Sequence, residues 1–216
     1  DLNVLNLAKN KYMKTQLFTI ALAFISVNTF AQITVTDSDI IFENFDPVSY
    51  SSNKKYDSVI CFPPLGQRIQ VSGKNFKSES IYLNKSLELL DDNGTATFLV
   101  ADNFLTAPAF TELRNTLKEN FGIEAIIALP KRTIDNVGVD LSILLVNKKK
   151  LEAVSFYKLR DRNQLELSLE EEDFRVSLIE LGDRWDFNFH DPEKRKYEKE
   201  LEIRETKKLE ELVEIA

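Results

Sequence analysis

The sequence predicts an α/β fold: a mostly parallel sheet of the doubly wound type, partial in extent, followed by a mostly helical extension. Three observations carry this. Short, near-continuous apolar runs, of the kind that form strands buried on both faces, alternate with stretches whose apolar residues recur at helical spacing. Proline, glycine and clustered polar residues punctuate the ends of those runs. The charge is uneven: residues 1–150 hold 16 acidic and 16 basic residues, residues 151–216 hold 19 and 12, so the net charge of −7 falls wholly in the last 66 residues.

Taken in order, Leu2–Leu7 reads as a strand and Tyr12–Val27 as a helix, with Leu17, Ile20, Ala21, Ala23, Phe24 and Val27 recurring along one face. The same stretch has a second reading. Met13-Lys14-Thr15-Gln16, the apolar Leu17–Ile25 and Thr29-Phe30-Ala31-Gln32 have the form of a short secretory signal. A folded strand ahead of it favours the buried helix, and the run is too short to span a membrane. Ala31–Thr36 is a strand closed by Asp37-Ser38-Asp39, and Ser51–Lys55 is a polar loop. Asp57–Phe62 is a strand that Pro63-Pro64 must stop, because proline brings no N–H to a ladder; Gly66 follows. Gln67–Ser80 reads as a polar loop, Ile81–Leu90 as a helix and Asp91-Asp92-Asn93-Gly94 as a turn. Thr95–Val100 is a strand, and Phe110–Asn120 a helix with Leu113 and Leu117 on one face and Gly122 as its stop. Ile123–Leu129, closed by Pro130, and Val139–Val146, closed by Lys148-Lys149-Lys150, are the last strands. Ligands of such sheets bind at the carboxyl ends of the strands, where the loops start at Ala8, Asp37, Phe62 and Ala101; the Leu129 end is read the same way.

The extension differs in kind. Leu165–Asp173 is an acidic stretch, and Arg184–Phe189 holds the single tryptophan, Trp185. Asp191-Pro192-Glu193 has the form of a helix start: a capping Asp, Pro at the first helical position, then an acid near the positive helix end. Tyr197, Leu201, Leu209, Leu212 and Val213 follow at roughly helical spacing, with a favourable Glu200–Arg204 offset and a repulsive Glu198–Glu202 one. This reads as a solvated helix face, or as a spacer helix leading to another domain.

Composition narrows the function classes. With 43% apolar and 29% charged residues and only 6 Gly and 6 Pro, the chain is globular rather than disordered or repetitive. A single cysteine excludes a disulfide scaffold and fits a reducing, cytoplasmic compartment. Cys61 and His190, one of each, are too few for a zinc site, so no metal is expected. Cys61, at the end of an apolar strand, reads as buried and inert; His190, beside Asp191, reads as a surface or capping residue. The acidic balance is not the basic surface of a stand-alone nucleic-acid binder. The opening Asp1 and the apolar ending Leu212–Ala216 read as cuts through a longer protein.

The segment Tyr56-Asp57-Ser58-Val59-Ile60-Cys61-Phe62-Pro63-Pro64-Leu65-Gly66 resembles the catalytic motif of N6-adenine DNA methyltransferases: Asp, a short apolar strand, then Asn-Pro-Pro-aromatic, often with Gly. The resemblance continues in order through Leu87–Val100, the helix with Leu113-Arg114-Asn115-Thr116-Leu117, Ile123–Pro130 and Val139–Lys150. It is closest to the methylase subunit of type I restriction–modification systems and its fused relatives. It implies a Rossmann-like methyltransferase fold, S-adenosylmethionine as cofactor, DNA as substrate, and as partners the specificity and restriction subunits or a fused target-recognition domain, with no membrane. Residues 1–150 are then a partial catalytic domain without the Gly-rich cofactor loop. Residues 151–216 are a charged linker and spacer helix leading toward a target-recognition domain. Ile33–Asp39 resembles the strand ending in an acid near the cofactor's adenine, with Asp37 in that place and Asp39 as the alternative.

Methyl transfer to an exocyclic amine needs the base out of the duplex and its nitrogen in line with the methyl group. In the family pattern the Asn side chain and the first Pro carbonyl accept hydrogen bonds from the amine, and the aromatic stacks on the base. Here Phe62 stands in the Asn place and Leu65 in the aromatic place, with Pro63 and Pro64 retained. Phe62 has no acceptor, and losing such a group lowers a rate on the order of 100-fold or more. Leu65 gives apolar contact without π-stacking, worth about 1–3 kcal/mol per base. Phe62–Leu65 therefore reads either as a strand end that keeps the family's shape without its chemistry, or as an altered base pocket. The function implied is part of a DNA adenine-N6 methyltransferase. The alternatives are a degenerate module that binds DNA or a partner subunit and, from the signal-like segment, a secreted α/β protein starting at Met13.

Overall fold

The computed structural model describes residues 32–36, 39–43, 48–134, 138–160 and 172–203. The elements expected over Leu2–Leu7 and Tyr12–Val27, residue Asp37, most of Leu165–Asp173, and Leu209–Val213 lie outside them.

The chain order is β1 (Gln32–Thr36), β2 (Asp39–Glu43), β3 (Tyr56–Cys61), β4 (Arg68–Val71), β5 (Lys74–Lys77), α1 (Ser78–Glu88) and β6 (Leu90–Ala101). Then come α2 (Asp102–Thr106), a 3-10 turn (Pro108–Phe110), α3 (Thr111–Asn120), β7 (Gly122–Ala128) and β8 (Leu141–Asn147). The chain closes with β9 (Ala153–Lys158), β10 (Phe174–Ser177), α4 (Leu178–Leu181), α5 (Phe187–His190) and α6 (Pro192–Ile203). Eight strands form one sheet in the order β10-β9-β7-β8-β6-β3-β1-β2, and β4-β5 form a separate hairpin.

The fold is α/β, but the sheet is mixed rather than mostly parallel. Only β3–β6 and β7–β9 pair in parallel; β1–β2, β1–β3, β6–β8, β7–β8 and β9–β10 are antiparallel. Burial on both faces makes a strand read as a continuous apolar run whichever way its neighbour points. The reversed β8 is invisible in composition for that reason.

Side chains alternate across the strands, as pleating requires. Val59 and Cys61 of β3, Ala96, Phe98 and Val100 of β6, and Leu144 and Val146 of β8 enter one cluster. Ile60, Leu99, Ala101, Ile143 and Leu145 enter the other. In β7 the register shifts between Ile123 and Ala125, so Ile123 and Ile126 share a face despite their spacing. Helices cover the first cluster, through Leu83 and Leu87 of α1, Phe104 and Leu105 of α2, Leu113 and Leu117 of α3, and Phe187 of α5. Each such side chain contributes about 1.5–3 kcal/mol by leaving water. Buried Arg114 ties α2 to α3: its Nη1 donates to the carbonyls of Phe104 at 2.6 Å and Ala107 at 3.0 Å. The Phe104 carbonyl sits at the end of α2, where its helical partner would be Pro108, which has no N–H; the Ala107 carbonyl also takes the Phe110 N–H at 3.1 Å.

Several expectations are corrected. Gln67–Ser80 is not a loop; it holds the β4–β5 hairpin and the start of α1. The reversal runs through Ser72 (φ 49°) and Gly73 (φ 79°), the paired left-handed residues of a tight hairpin turn. Asp91–Gly94 is not a free turn but lies within β6. Tyr56 pairs with Leu90 and Ser58 with Thr95, so the four residues bulge out of the ladder opposite Asp57. At Gly94 a β-carbon would come within 2.7 Å of the Tyr56 carbonyl oxygen.

Gly122 does not stop α3 through a left-handed residue. Phe121 is extended (φ −132°, ψ 166°) and ends the helix. Gly122 opens β7, where a β-carbon would overlap the Lys149 carbonyl oxygen.

Nor does the sheet stop at residue 150. β9 pairs with β7 and β10 with β9, because Val154, Phe156 and Val176 belong to the first core cluster. Trp185 is fully buried, its backbone N–H bonded to the Leu105 carbonyl at 3.0 Å, and Trp185 and Phe187 belong to the core rather than to a spacer. His190 is likewise no surface residue, at 2% exposure. Its Nδ1 faces Arg195 Nη2 at 3.1 Å, and arginine can only donate, so Nε2 carries the proton and donates to the Arg184 carbonyl at 2.5 Å. Burial, first of all, pushes its pKa down. The expected helix start is present: Asp191 Oδ1 accepts the Glu193 N–H at 3.0 Å, and Pro192 opens α6.

Candidate functional site

β3 delivers the Pro-Pro pair to the carboxyl end of the sheet. Cys61 pairs with Phe98 of the parallel neighbour β6, so the carboxyl ends of the two strands lie side by side. Pro63 and Pro64 then end the ladder, and Pro63 is buried. The chain turns through Leu65-Gly66, with Gly66 at φ +71°. A β-carbon at Gly66 would meet nothing within 4 Å, so the backbone conformation, not space, requires glycine there.

Two residues at the start of α1 hold this turn. Glu79, 1% exposed, accepts the Gly66 N–H through Oε1 at 2.8 Å. The Ser78 hydroxyl donates to the Pro64 carbonyl and lies 3.1 Å from Glu79 Oε2. The Ser78 N–H donates to the Gln67 carbonyl at 3.1 Å. The turn is thereby fixed at Pro64, Gly66 and Gln67, and Glu79 sits in the first turn of α1, where the helix dipole favours an acid.

Phe62 and Leu65 are half-buried, and both pack against the second core cluster. The structure thus brings together all four positions Phe62, Pro63, Pro64 and Leu65 at one strand end, while Asp37 lies outside the described residues. Cys61 is buried, and desolvation pushes its thiol up to about 12, so it is no nucleophile. At the neighbouring strand end, Asp102 opens α2 and accepts the Ser142 hydroxyl at 2.8 Å. Burial raises its pKa; the Ser142 bond opposes this, and the charges of Asp140 and Asp186 add to it. A cavity of about 380 Å³, lined by Tyr50, Lys55, Lys85, Leu87 and Lys148 among others, opens at the amino ends of β3 and β6, away from this turn.

Ser78, Glu79 and Asp102 are absent from the sequence expectations. Ser-Glu opening a helical stretch is a usable signal for the first two, hidden when Gln67–Ser80 is taken as loop. Asp102 directly follows the apolar run of β6, but an acid after a strand is too common to single out. Among the described residues no helix is long and apolar enough to cross a membrane.

The family model described as N-6 DNA Methylase matches residues 28–214. No curated protein gives a significant match. Similar solved structures include the type I restriction–modification methyltransferase subunit from Streptococcus thermophilus, at 20% identity over 53% of this chain and 29% of that one, with a TM-score of 0.47. They also include the M protein of the type I restriction enzyme EcoKI, at 19% identity over 49% and 26%, with a TM-score of 0.42. A third, from Listeria monocytogenes, is described as a class I S-adenosylmethionine-dependent methyltransferase, at 20% identity over 53% and 40%, with a TM-score of 0.48. The chain spans less than half the length of each.

Proposed function

Because the chain belongs to the N-6 DNA methylase family, we propose that it is part of an S-adenosylmethionine-dependent DNA adenine-N6 methyltransferase of a restriction–modification system. The observation that carries this reading is the family match across a strand that ends in Pro63-Pro64-Leu65-Gly66, with that turn braced by Ser78 and Glu79. In this reading the target adenine leaves the stack and its amine meets the turn. The braced Pro-Pro pair fixes where backbone carbonyls point, and the side chains of Phe62 and Leu65 exclude water and touch the base. S-adenosylmethionine supplies the methyl group when bound, and Asp37 is the residue we assign to its adenosine. DNA and the specificity and restriction subunits, or a fused target-recognition domain, are the partners. α6, with Tyr197 63% and Leu201 39% exposed, leads toward that further domain.

A second reading rests on one observation. Phe62 brings no acceptor and packs on the core, as a module that has kept the fold and lost the chemistry would. The test is expression of the gene in a host without adenine methylation, followed by mapping of N6-methyladenine. A mark with the wild-type gene supports the enzyme. A mark only with Phe62→Asn supports a frame that lacks one acceptor. No mark with either sinks the enzymatic reading in favour of the binding module.

A further inference from the structure

The β4–β5 hairpin leaves the chain directly after the Pro-Pro turn and returns directly into α1. Its base is closed by the Arg68–Lys77 pair and tied to the site by the Ser78 N–H bond to the Gln67 carbonyl. Residues 67–77 hold three cations, Arg68, Lys74 and Lys77, and no acid, in a protein whose net charge is −7. Lys77 Nζ sits 5.7 Å from the Phe110 ring centroid. Arg68 and Lys74 are exposed, and among the described residues no carboxylate pairs with either.

The register sets Arg68 opposite Lys77 and Val71 opposite Lys74, so the two free cations lie on opposite faces of the ribbon. Phe76, opposite Ile69 and one pair from the base of the hairpin, is 41% exposed, a large ring left in water on a ribbon with no core of its own. The turn through Ser72 and Gly73 makes the ribbon short and stiff. Four residues per strand reach about 13 Å at the usual rise. The major groove of a duplex, about 12 Å wide, admits a two-stranded ribbon.

We propose that this hairpin is a DNA-contacting finger, Arg68 and Lys74 meeting backbone phosphates on its two faces and Phe76 offering its ring to bases beside the Pro-Pro turn. It rests on the methyltransferase reading, since it takes the nucleic acid to lie at the carboxyl end of β3. An acid-free, cation-bearing ribbon on an acidic protein attracts a polyanion locally.

The test is anisotropy of the full chain with a labelled duplex carrying one unpaired adenine, repeated across a salt series. Arg68→Gln and Lys74→Gln each weaken binding and flatten the dependence of log K on log salt by about 0.9 per lost phosphate contact. Lys199→Gln, exposed on α6, changes neither quantity. Phe76→Ala weakens binding and leaves the slope unchanged, because stacking releases no counterions. R68Q and K74Q chains that keep the wild-type slope overturn the finger while the methyltransferase reading stands. A Phe76→Ala chain that binds as the wild type does overturns the part assigned to the ring. A chain that binds no DNA at any salt overturns both.

Discussion

Replacing Glu79 tests whether the Pro-Pro turn is held from α1. The side chain is 1% exposed, and its Oε1 takes the Gly66 N–H at 2.8 Å. Alanine removes that acceptor. An unmet buried donor costs about 1–3 kcal/mol, and because Gly66 is itself exposed the lower end applies, about 1 kcal/mol. The space left at the helix start adds about 1 kcal/mol more. The expected loss for Glu79→Ala is therefore about 2 kcal/mol, a fall in Tm of about 4–8 °C for a chain of this size. Glu79→Gln keeps the Oε1 acceptor and the volume, and is expected to lose about 1 kcal/mol or less. Urea unfolding followed by Trp185 fluorescence measures both, since the single tryptophan is fully buried in the folded chain. An alanine variant within about 0.5 kcal/mol of wild type refutes the brace. A glutamine variant as damaged as alanine moves the effect from the acceptor to the negative charge at the helix start.

His190 makes stability pH-dependent. Its pKa in the fold is pushed below the ordinary 6.5, so the unfolded chain takes up the proton first and stability is lost as pH falls below that value. Glutamine keeps one donor and one acceptor, so His190→Gln removes this loss; melting curves that run parallel for the two proteins from neutral to mildly acid pH refute it. Gly122→Ala, which drives a β-carbon into the Lys149 carbonyl, is expected to lose about 3 kcal/mol. Gly66→Ala, strained only by its φ of +71°, loses about 1–2 kcal/mol, and the reverse order in urea midpoints counts against both assignments. Cys61 resists iodoacetamide in the folded chain, since burial holds its thiol pKa near about 12; modification at the rate of a free thiol places it at the surface instead.

Elements whose signal is local are legible in the sequence. The strand at Tyr56–Cys61 ends where the prolines require, the helix carrying Leu113 and Leu117 ends at Asn120 as the sequence predicts, and Asp191-Pro192 opens α6. What depends on distant pairing is not. β9 and β10 sit in a charged stretch that reads as linker, and they become strands because Val154, Phe156 and Val176 find the core. His190 looks polar and exposed beside Asp191, yet Phe156 and Phe189 pack around its ring at centroid distances of 5.4 Å and 5.0 Å. The hairpin is missed because Ser72-Gly73 lies between segments too polar to read as strands.

The same distinction separates the frame of the site from its chemistry. Pro63, Pro64, Gly66, Ser78 and Glu79 each act through backbone geometry or a hydrogen bond that the fold itself uses, so each change among them is felt as stability. Phe62 and Leu65 act only through their side chains, which rest against Ile60, Leu99 and the rest of the second cluster whether or not a base is present. An apolar residue at position 62 gains burial there, where asparagine would bring an amide needing partners. Stability and acceptor chemistry therefore pull in opposite directions at this one position. Phe62→Asn should lower the urea midpoint even if it adds methylation, and a variant that gains both would mean that Phe62 is not packed as described.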